Sequence, residues 1–363
     1  MKTHCLLLGC LWLLCSSCLK EDQKIPFTTN EPIILDDGWS VSSPSREGMD
    51  ESALSRLYDS IHSDEGLWQI RSLLVFKNDK LIAESYMRDP RDITHPAAIW
   101  SCTKQVLGVL VGIALDKGYL MSVEDEISQY LPSVSGYSDK ASITLDDLLT
   151  MRSGIHFEND GANGNSAQLL KQLPANSIDY IVGLDISHPH GTFFRYSDGD
   201  PQLVSAILQK QTGKTLKDWS EEVLFAKLGI NNWDWITYKD GITMGAFGIL
   251  MTPRNLAKIG QLVLNNGIWK GERVVSEGWI THMTTARVAP ELTGQGSAFG
   301  CYWWIDVDRD IIFMYGHGGQ YVFIDRARSL IAVITAEPNT QGDFMLSLHK
   351  GLDIFDRIAE LIR

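Results

Sequence analysis

Ser101 and Lys104, in "IWSCTKQVLG", stand three residues apart at the head of an apolar run that extends from Val106 to Leu115. On a helix, residues at that spacing share one face, a turn apart. A lysine amine held beside a serine hydroxyl and partly out of water is a nucleophile with its base, because burial depresses the amine's pKa. The helix N-terminus adds free N–H groups and partial positive charge that favour a developing anion. Spacing alone does not decide the matter. S-x-x-K occurs three times, as Ser17/Lys20, Ser101/Lys104 and Ser347/Lys350. At a helix start, a capping serine with a solvated lysine is the common outcome. Only the second pair leads a run that is apolar nearly all round, the mark of a buried helix. Cys102 also invites attention as a nucleophile, but its side chain points about 100° around the helix from Ser101 and reads as core packing.

Two distant stretches change the balance. "FRYSDGD" supplies Tyr196-Ser197-Asp198, and "YGHGGQY" supplies His317-Gly318-Gly319 between two β-rich runs. Taken singly, Tyr196 reads as a packed aromatic and His317 as an ordinary histidine. Taken with Ser101 and Lys104 they resemble the three-part signature S-x-x-K, Y-x-N/S and K/H-x-G of the serine β-lactamase and penicillin-binding-protein superfamily. The tyrosine form resembles its class C branch, with D-aminopeptidase, carboxylesterase and aminohexanoate-oligomer hydrolase relatives. The resemblance spans about residues 48 to 360 and takes in "DKGYLMSVEDEISQYLP", "ITLDDLLTMRSGI" and "GAFGILMTPRNLAKIGQLVLNNGIWKGERVVSEGWI".

The resemblance implies a role for each residue. Ser101 is the expected nucleophile. Lys104 activates it, as a neutral amine or as an ammonium stabilising a tyrosinate. Tyr196 is the expected general base, which an unperturbed phenol near pKa 10 performs only beside a cation. Backbone N–H groups of Ser101 and Gln320 form the expected oxyanion hole. Asp198, His317, Gly318 and Gly319 are expected to face the substrate, the glycines letting it approach the strand edge. The implied function is hydrolysis of an ester or amide bond of a small substrate through a Ser101 acyl-enzyme. Alternatives are an acyltransferase that passes the acyl group to an alcohol or amine, and a non-catalytic acyl-binding sensor.

Two departures from the pattern narrow this. Asp198 stands where Asn is common, and a carboxylate there pairs with Lys104 and shifts the base role toward Tyr196. His317-Gly318-Gly319 replaces Lys-Thr-Gly and offers neither a permanent cation nor a hydroxyl to a drug carboxylate. Antibiotic hydrolysis and D,D-peptidase activity therefore rank below cleavage of another ester or amide.

The elements that must position these residues read as follows. Residues 49–63 show helical spacing with Asp50 as N-cap, and 71–87 form a hairpin turning at Asn78-Asp79. Signals are mainly helical from 117 to about 290, at 144–152, 166–184, 201–211, 215–228, 253–266 and 276–283. Short β-rich runs follow at 298–307, 310–317, 320–325 and 329–337, then an amphipathic helix over 343–362. This predicts an α+β fold, with one antiparallel β-sheet flanked by N- and C-terminal helices and a mostly helical inserted lobe. The α/β lobe would comprise 46–116 and 290–363, and the helical lobe 117–289. A cleft belongs at their junction, where Ser101 lies.

The 363 residues carry a formal charge of −13, which argues against a nucleic-acid partner. In "MKTHCLLLGCLWLLCSSCLKEDQK" one lysine precedes an apolar stretch from Cys5 to Leu14. That stretch is too short for a membrane span of roughly 20 residues and suits a signal-peptide core. The ending "LCSSC" resembles a bacterial lipoprotein box with Cys18 as the lipidated residue. The expectation is a signal over 1–18, a tether over 19–45, and a periplasmic or outer-membrane lipoprotein that meets the membrane only through its anchor. Beyond the signal only Cys102 and Cys301 remain, and no Cys/His spacing calls for a metal; no organic cofactor is implied.

Overall fold

The computed structural model describes residues 26–159, 176–337 and 345–363. The signal segment, with Cys18, lies outside the described residues, as do part of the expected 166–184 helix and the start of the terminal one.

Thirteen strands are described: β1 (Ser40–Val41), β2 (Ile70–Lys77), β3 (Lys80–Tyr86), β4 (Ala97–Ala98), β5 (Asp234–Trp235), β6 (Ile249–Met251), β7 (Ile268–Trp269), β8 (Glu272–Arg273), β9 (Ala298–Phe299), β10 (Trp304–Asp306), β11 (Ile311–Gly316), β12 (Gln320–Asp325) and β13 (Leu330–Ala336). Eight of them form one sheet in the order β1-β3-β2-β13-β12-β11-β10-β9. All its pairings are antiparallel except the edge pair of β1 with β3. The β2–β3 hairpin turns through Asn78 and Asp79, at φ 50° and 64°, as a two-residue turn whose twist matches its strands requires.

The helices are α1 (Glu51–Ser63), α2 (Cys102–Asp116), α3 (Ile127–Tyr130), α4 (Leu145–Leu149), α5 (Ser177–Val182), α6 (Gly199–Thr212), α7 (Leu216–Ser220), α8 (Pro253–Leu264), α9 (Glu277–Met283), α10 (Pro290–Thr293) and α11 (Leu348–Ala359). Many begin as their sequences dictate. Asp50 accepts from the Ala53 N–H at 2.9 Å. Thr144 and Asp147 close a reciprocal capping box on α4. Thr252 caps α8, with Pro253 in the first turn.

The strand alternation sorts the two faces of the sheet. From β12, Tyr321 and Phe323 meet α11, with Phe323 and Phe355 ring centroids 5.4 Å apart. Val322 and Ile324 face α8, where Gly260 permits close contact: a Cβ there would lie 2.7 Å from Val322. The mixed α+β architecture with helices covering an antiparallel sheet is the one expected. The middle of the chain is less purely helical than its composition implies, since β5 and β6 join β4 in a three-stranded sheet and β7 pairs with β8. The 298–307 run divides into β9 and β10 about Tyr302, at φ 65°.

Within the segment expected as a tether, described residues between 30 and 41 make contacts with the body. Asn30 O accepts from Glu84 N, and β1 extends the sheet. The cause is Arg254, 2% exposed, which is neutralised by Glu84 and by Asp37 and also donates to Ile33 O. A buried guanidinium demands such partners, and the N-terminal segment supplies them.

Candidate active site

Helix α2 is buried along its length from Cys102 to Ala114. Small residues let it sink between its neighbours: a Cβ at Gly112 would lie 1.9 Å from Trp279. Ser101 occupies its N-cap position yet makes no capping hydrogen bond, and Trp100 before it is held at φ 51°. A free hydroxyl at a capping position and a positive φ on a bulky residue are both departures from local preference, of the kind that marks functional sites.

The hydroxyl is turned toward Lys104. Lys104 is fully buried, and its Nζ donates to Ser101 Oγ at 3.0 Å, to Asp198 Oδ1 at 2.7 Å and to the Ala246 carbonyl at 2.9 Å. Three donors thus meet three acceptors. Asp198 repeats the anomaly of Ser101. It sits at the N-cap of α6 with no side-chain capping bond, its carboxylate spent on Lys104 instead. Its backbone N–H donates to Asn159 Oδ1 at 2.9 Å.

Tyr196 lies within reach of both Ser101 and Lys104, and the Lys104 ammonium is 4.9 Å from the tyrosine ring centroid. The ring stacks on Trp304 at 5.9 Å and 22°, so it is held in one orientation. Trp303 and Trp304 are both buried. Burial favours a neutral Lys104, but Asp198 and then Tyr196 outweigh it and hold its pKa above the usual lysine value. For Tyr196, burial pushes the phenol pKa up, Lys104 pulls it down, and Asp198 pushes it up again. These directions favour a Lys104 ammonium against Asp198, beside a tyrosine that retains its proton.

The end of β11 and the start of β12 lie against the residues that lead into α2. A Cβ at Gly316 would meet the Ile99 carbonyl at 2.4 Å, and Cys102 Sγ donates to Gln320 O at 3.5 Å. Cys102 is wholly buried, with burial raising its thiol pKa, as a packing residue should be. Gln320 is 4% exposed and locked by a side-chain bond to Ala336 O. The Ser101 N–H has no hydrogen-bond partner among the described residues.

His317, Gly318 and Gly319 form the turn between these strands and do not lie on an edge strand. His317 is exposed at the rim, its ring 5.1 Å from that of Trp100. The glycines serve the turn itself, at φ 81° and 102°. A Cβ on Gly319 would lie 2.6 Å from Leu346, so packing against Leu346 also requires glycine there. Ser101, Lys104, Tyr196 and Asp198 are thus brought together, with Gln320 beside them and His317 at the edge. The sequence reading passed over Ala246 and Asn159. A backbone carbonyl carries no residue-type signal, though "GAFG" hints at one, since a Cβ at Gly245 would lie 2.0 Å from Pro201 O.

Known proteins share the fold that frames this site. A 6-aminohexanoate-dimer hydrolase from Paenarthrobacter ureafaciens is 23% identical over 355 residues, 91% of this chain and 85% of the relative. Among solved structures, a penicillin-binding protein homologue from Caulobacter crescentus is 13% identical with a TM-score of 0.69, over 88% of this chain and 99% of that one. EstCE1, a hydrolase with promiscuous acyltransferase activity, is 16% identical with a TM-score of 0.68, over 85% and 98%. At such identities the structural likenesses establish the fold. The family described as Beta-lactamase matches residues 71–347, a span that holds the buried Ser-Lys pair, the tyrosine and the sheet that frames them, and the chain belongs to that family.

Proposed function

We propose that the protein is a serine hydrolase that cleaves an ester or amide bond of a small substrate through an acyl-enzyme on Ser101. The observation that carries this is the fully buried Lys104 ammonium, bonded at once to Ser101 Oγ and Asp198. Because Asp198 keeps Lys104 protonated, the base is Tyr196. Tyr196 must first lose its phenol proton to solvent. The phenolate, present as a minority form beside the Lys104 ammonium, takes the Ser101 proton as Oγ attacks the carbonyl carbon. The oxyanion forms against the N–H groups of Ser101 and Gln320, each worth about 10²–10³ in rate. Tyr196 returns the proton to the leaving oxygen or nitrogen. A water, deprotonated by the same residue, then releases the acyl group. Lys104 stays an ammonium throughout and stabilises the phenolate.

The matched proteins include a 6-aminohexanoate-dimer hydrolase and a family VIII carboxylesterase, which supports an ester or amide substrate. The His317 turn offers no permanent cation to a drug carboxylate. A second reading, transfer of the acyl group to an alcohol or amine, is favoured by the aromatic surroundings of Tyr196, Trp304 and Trp100. The segment ending in Cys18 supports export and lipid anchoring of the mature chain, with the body in the periplasm or at the outer membrane.

Intact-mass measurement after exposure to a fluorophosphonate or an activated ester tests the proposal. One adduct on wild-type protein and none on Ser101→Ala is expected; equal adducts on both would overturn it. Turnover separates the enzyme from a sensor, which would keep its adduct. Acyl products on an added alcohol would identify the transferase.

A further inference from the structure

Beside α2, near Gly108 and Gly112, three segments bring together one carboxylate, one imidazole and one thiol. Asp146 lies on α4, His282 on α9, and Cys301 in the turn between β9 and β10. Their donor atoms all lie within 4.8 Å of one another. Asp146 is 5% exposed and Cys301 fully buried. Asp146 Oδ1 and His282 Nε2 face each other at 3.8 Å, too far for a hydrogen bond. Both atoms are buried, and neither has a partner among the described residues.

Such orphans are costly and call for an occupant. Asp146 is not idle: its other oxygen receives Arg287 at 3.1 Å and Arg152 at 3.4 Å. Two guanidiniums therefore fix the carboxylate and leave Oδ1 with free lone pairs. His282 is fixed in turn by stacking on Trp279, 5.2 Å away at 22°.

The geometry points to a divalent transition-metal site, best suited to zinc, held by Asp146 Oδ1, His282 Nε2 and Cys301 Sγ with water completing the tetrahedron. An N/O/S donor set is the chemistry that zinc prefers over magnesium or calcium. Zn–N and Zn–S bonds of about 2.0 and 2.3 Å require inward shifts of about 1 Å from the distances described. On binding, the Cys301 S–H bond breaks, a metal–thiolate bond forms and the proton leaves to solvent, so affinity rises with pH. Burial and then Asp146 hold the Cys301 thiol protonated, Arg287 and Arg152 offset them only in part, and the bound ion itself must displace the proton. The ion would staple α4, α9 and the Gly300–Tyr302 turn beside the helix that carries Ser101. Its role is structural, and no catalytic step runs through it. No Cys/His spacing discloses this site, because its donors come from three distant segments.

The test uses the metal-stripped full chain titrated with Zn²⁺. One saturable site per chain and a melting temperature that climbs with free Zn²⁺ are expected. Cys301→Ser and His282→Gln should each weaken binding at least about tenfold, while fluorophosphonate labelling of Ser101 persists and reports an intact fold. Co²⁺ should give a thiolate-to-metal charge-transfer band that Cys301→Ser abolishes. Absence of saturable binding, a cobalt spectrum without that band, or undiminished affinity in the folded variants would overturn the site. Should the variants fail to fold, the wild-type cobalt spectrum alone decides.

Discussion

Ser101/Lys104 and Ser347/Lys350 share spacing, residue types and a place at a helix start, and their side chains do opposite things. Ser347 caps α11, its Oγ accepting from the Lys350 N–H at 3.4 Å. Lys350 runs along the surface and donates to Gly66 O at 2.9 Å. Ser101 refuses the cap, and Lys104 is buried among three acceptors. A hydroxyl that accepts from its own helix has its lone pairs engaged and no base beside it. The environment of the lysine separates the two: α11 shows one face to water, whereas α2 shows none.

The widest gap should come from the serines. Ser101→Ala is expected to reduce acylation by roughly 10⁴–10⁶-fold. Ser347→Ala should cost about 1 kcal/mol of stability as a lost cap and leave acylation within about twofold. Stopped-flow with a nitrophenyl ester and thermal melts measure both; comparable losses of activity would break the contrast. Next, Tyr196→Phe should lower acylation by roughly 10²–10⁴-fold with an unchanged melt. Acylation at the wild-type rate would remove Tyr196 as the base.

The lysines should differ in stability. Lys104→Ala strands Asp198 as a largely buried, unpaired charge and is expected to cost about 3–5 kcal/mol. Lys350→Ala should stay within about 0.5 kcal/mol. Adding Asp198→Ala to Lys104→Ala should recover part of the loss, and strict additivity in the double-mutant cycle would deny the coupling.

The smallest effect sharpens the electrostatics. Asp198 raises the pKa of both Tyr196 and Lys104. A base works deprotonated, so activity rises with pH through the tyrosine's pKa. Asp198→Asn removes the negative charge, and the rising limb of kcat/KM against pH should move to lower pH. A limb that stays put or moves upward would refute this account.

Much of the fold was legible because it is local. The Asn78-Asp79 turn, the Asp50 cap and the β-rich runs after 298 each declare themselves within a few residues. Ser101, Lys104, Tyr196 and Asp198 were legible through motif order and residue type. What stayed hidden rests on distant partners. Nothing near residues 30–41 announces that Arg254 requires Asp37, and the glycines around 246 only hint at a carbonyl that accepts from Lys104. His317 was found, but its rim position was not, because a turn and a strand edge look alike between two β-rich runs.

The pairing of β2 with β13 has a kinetic consequence. Residues 70–77 lie beside 330–336 at the centre of the sheet, so strands from opposite ends of the chain must meet before the sheet is continuous. Long-range pairing of this kind carries a loop-closure cost and slows folding. Ser101 and Lys104 precede that closure, while Gln320 arrives with the strand next to β13. Completion of the site is therefore expected to depend on closure of the sheet. A growing or clipped chain that lacks the last strands carries the serine and the lysine but no complete acyl-transfer site, which keeps the nucleophile idle until the whole body has folded.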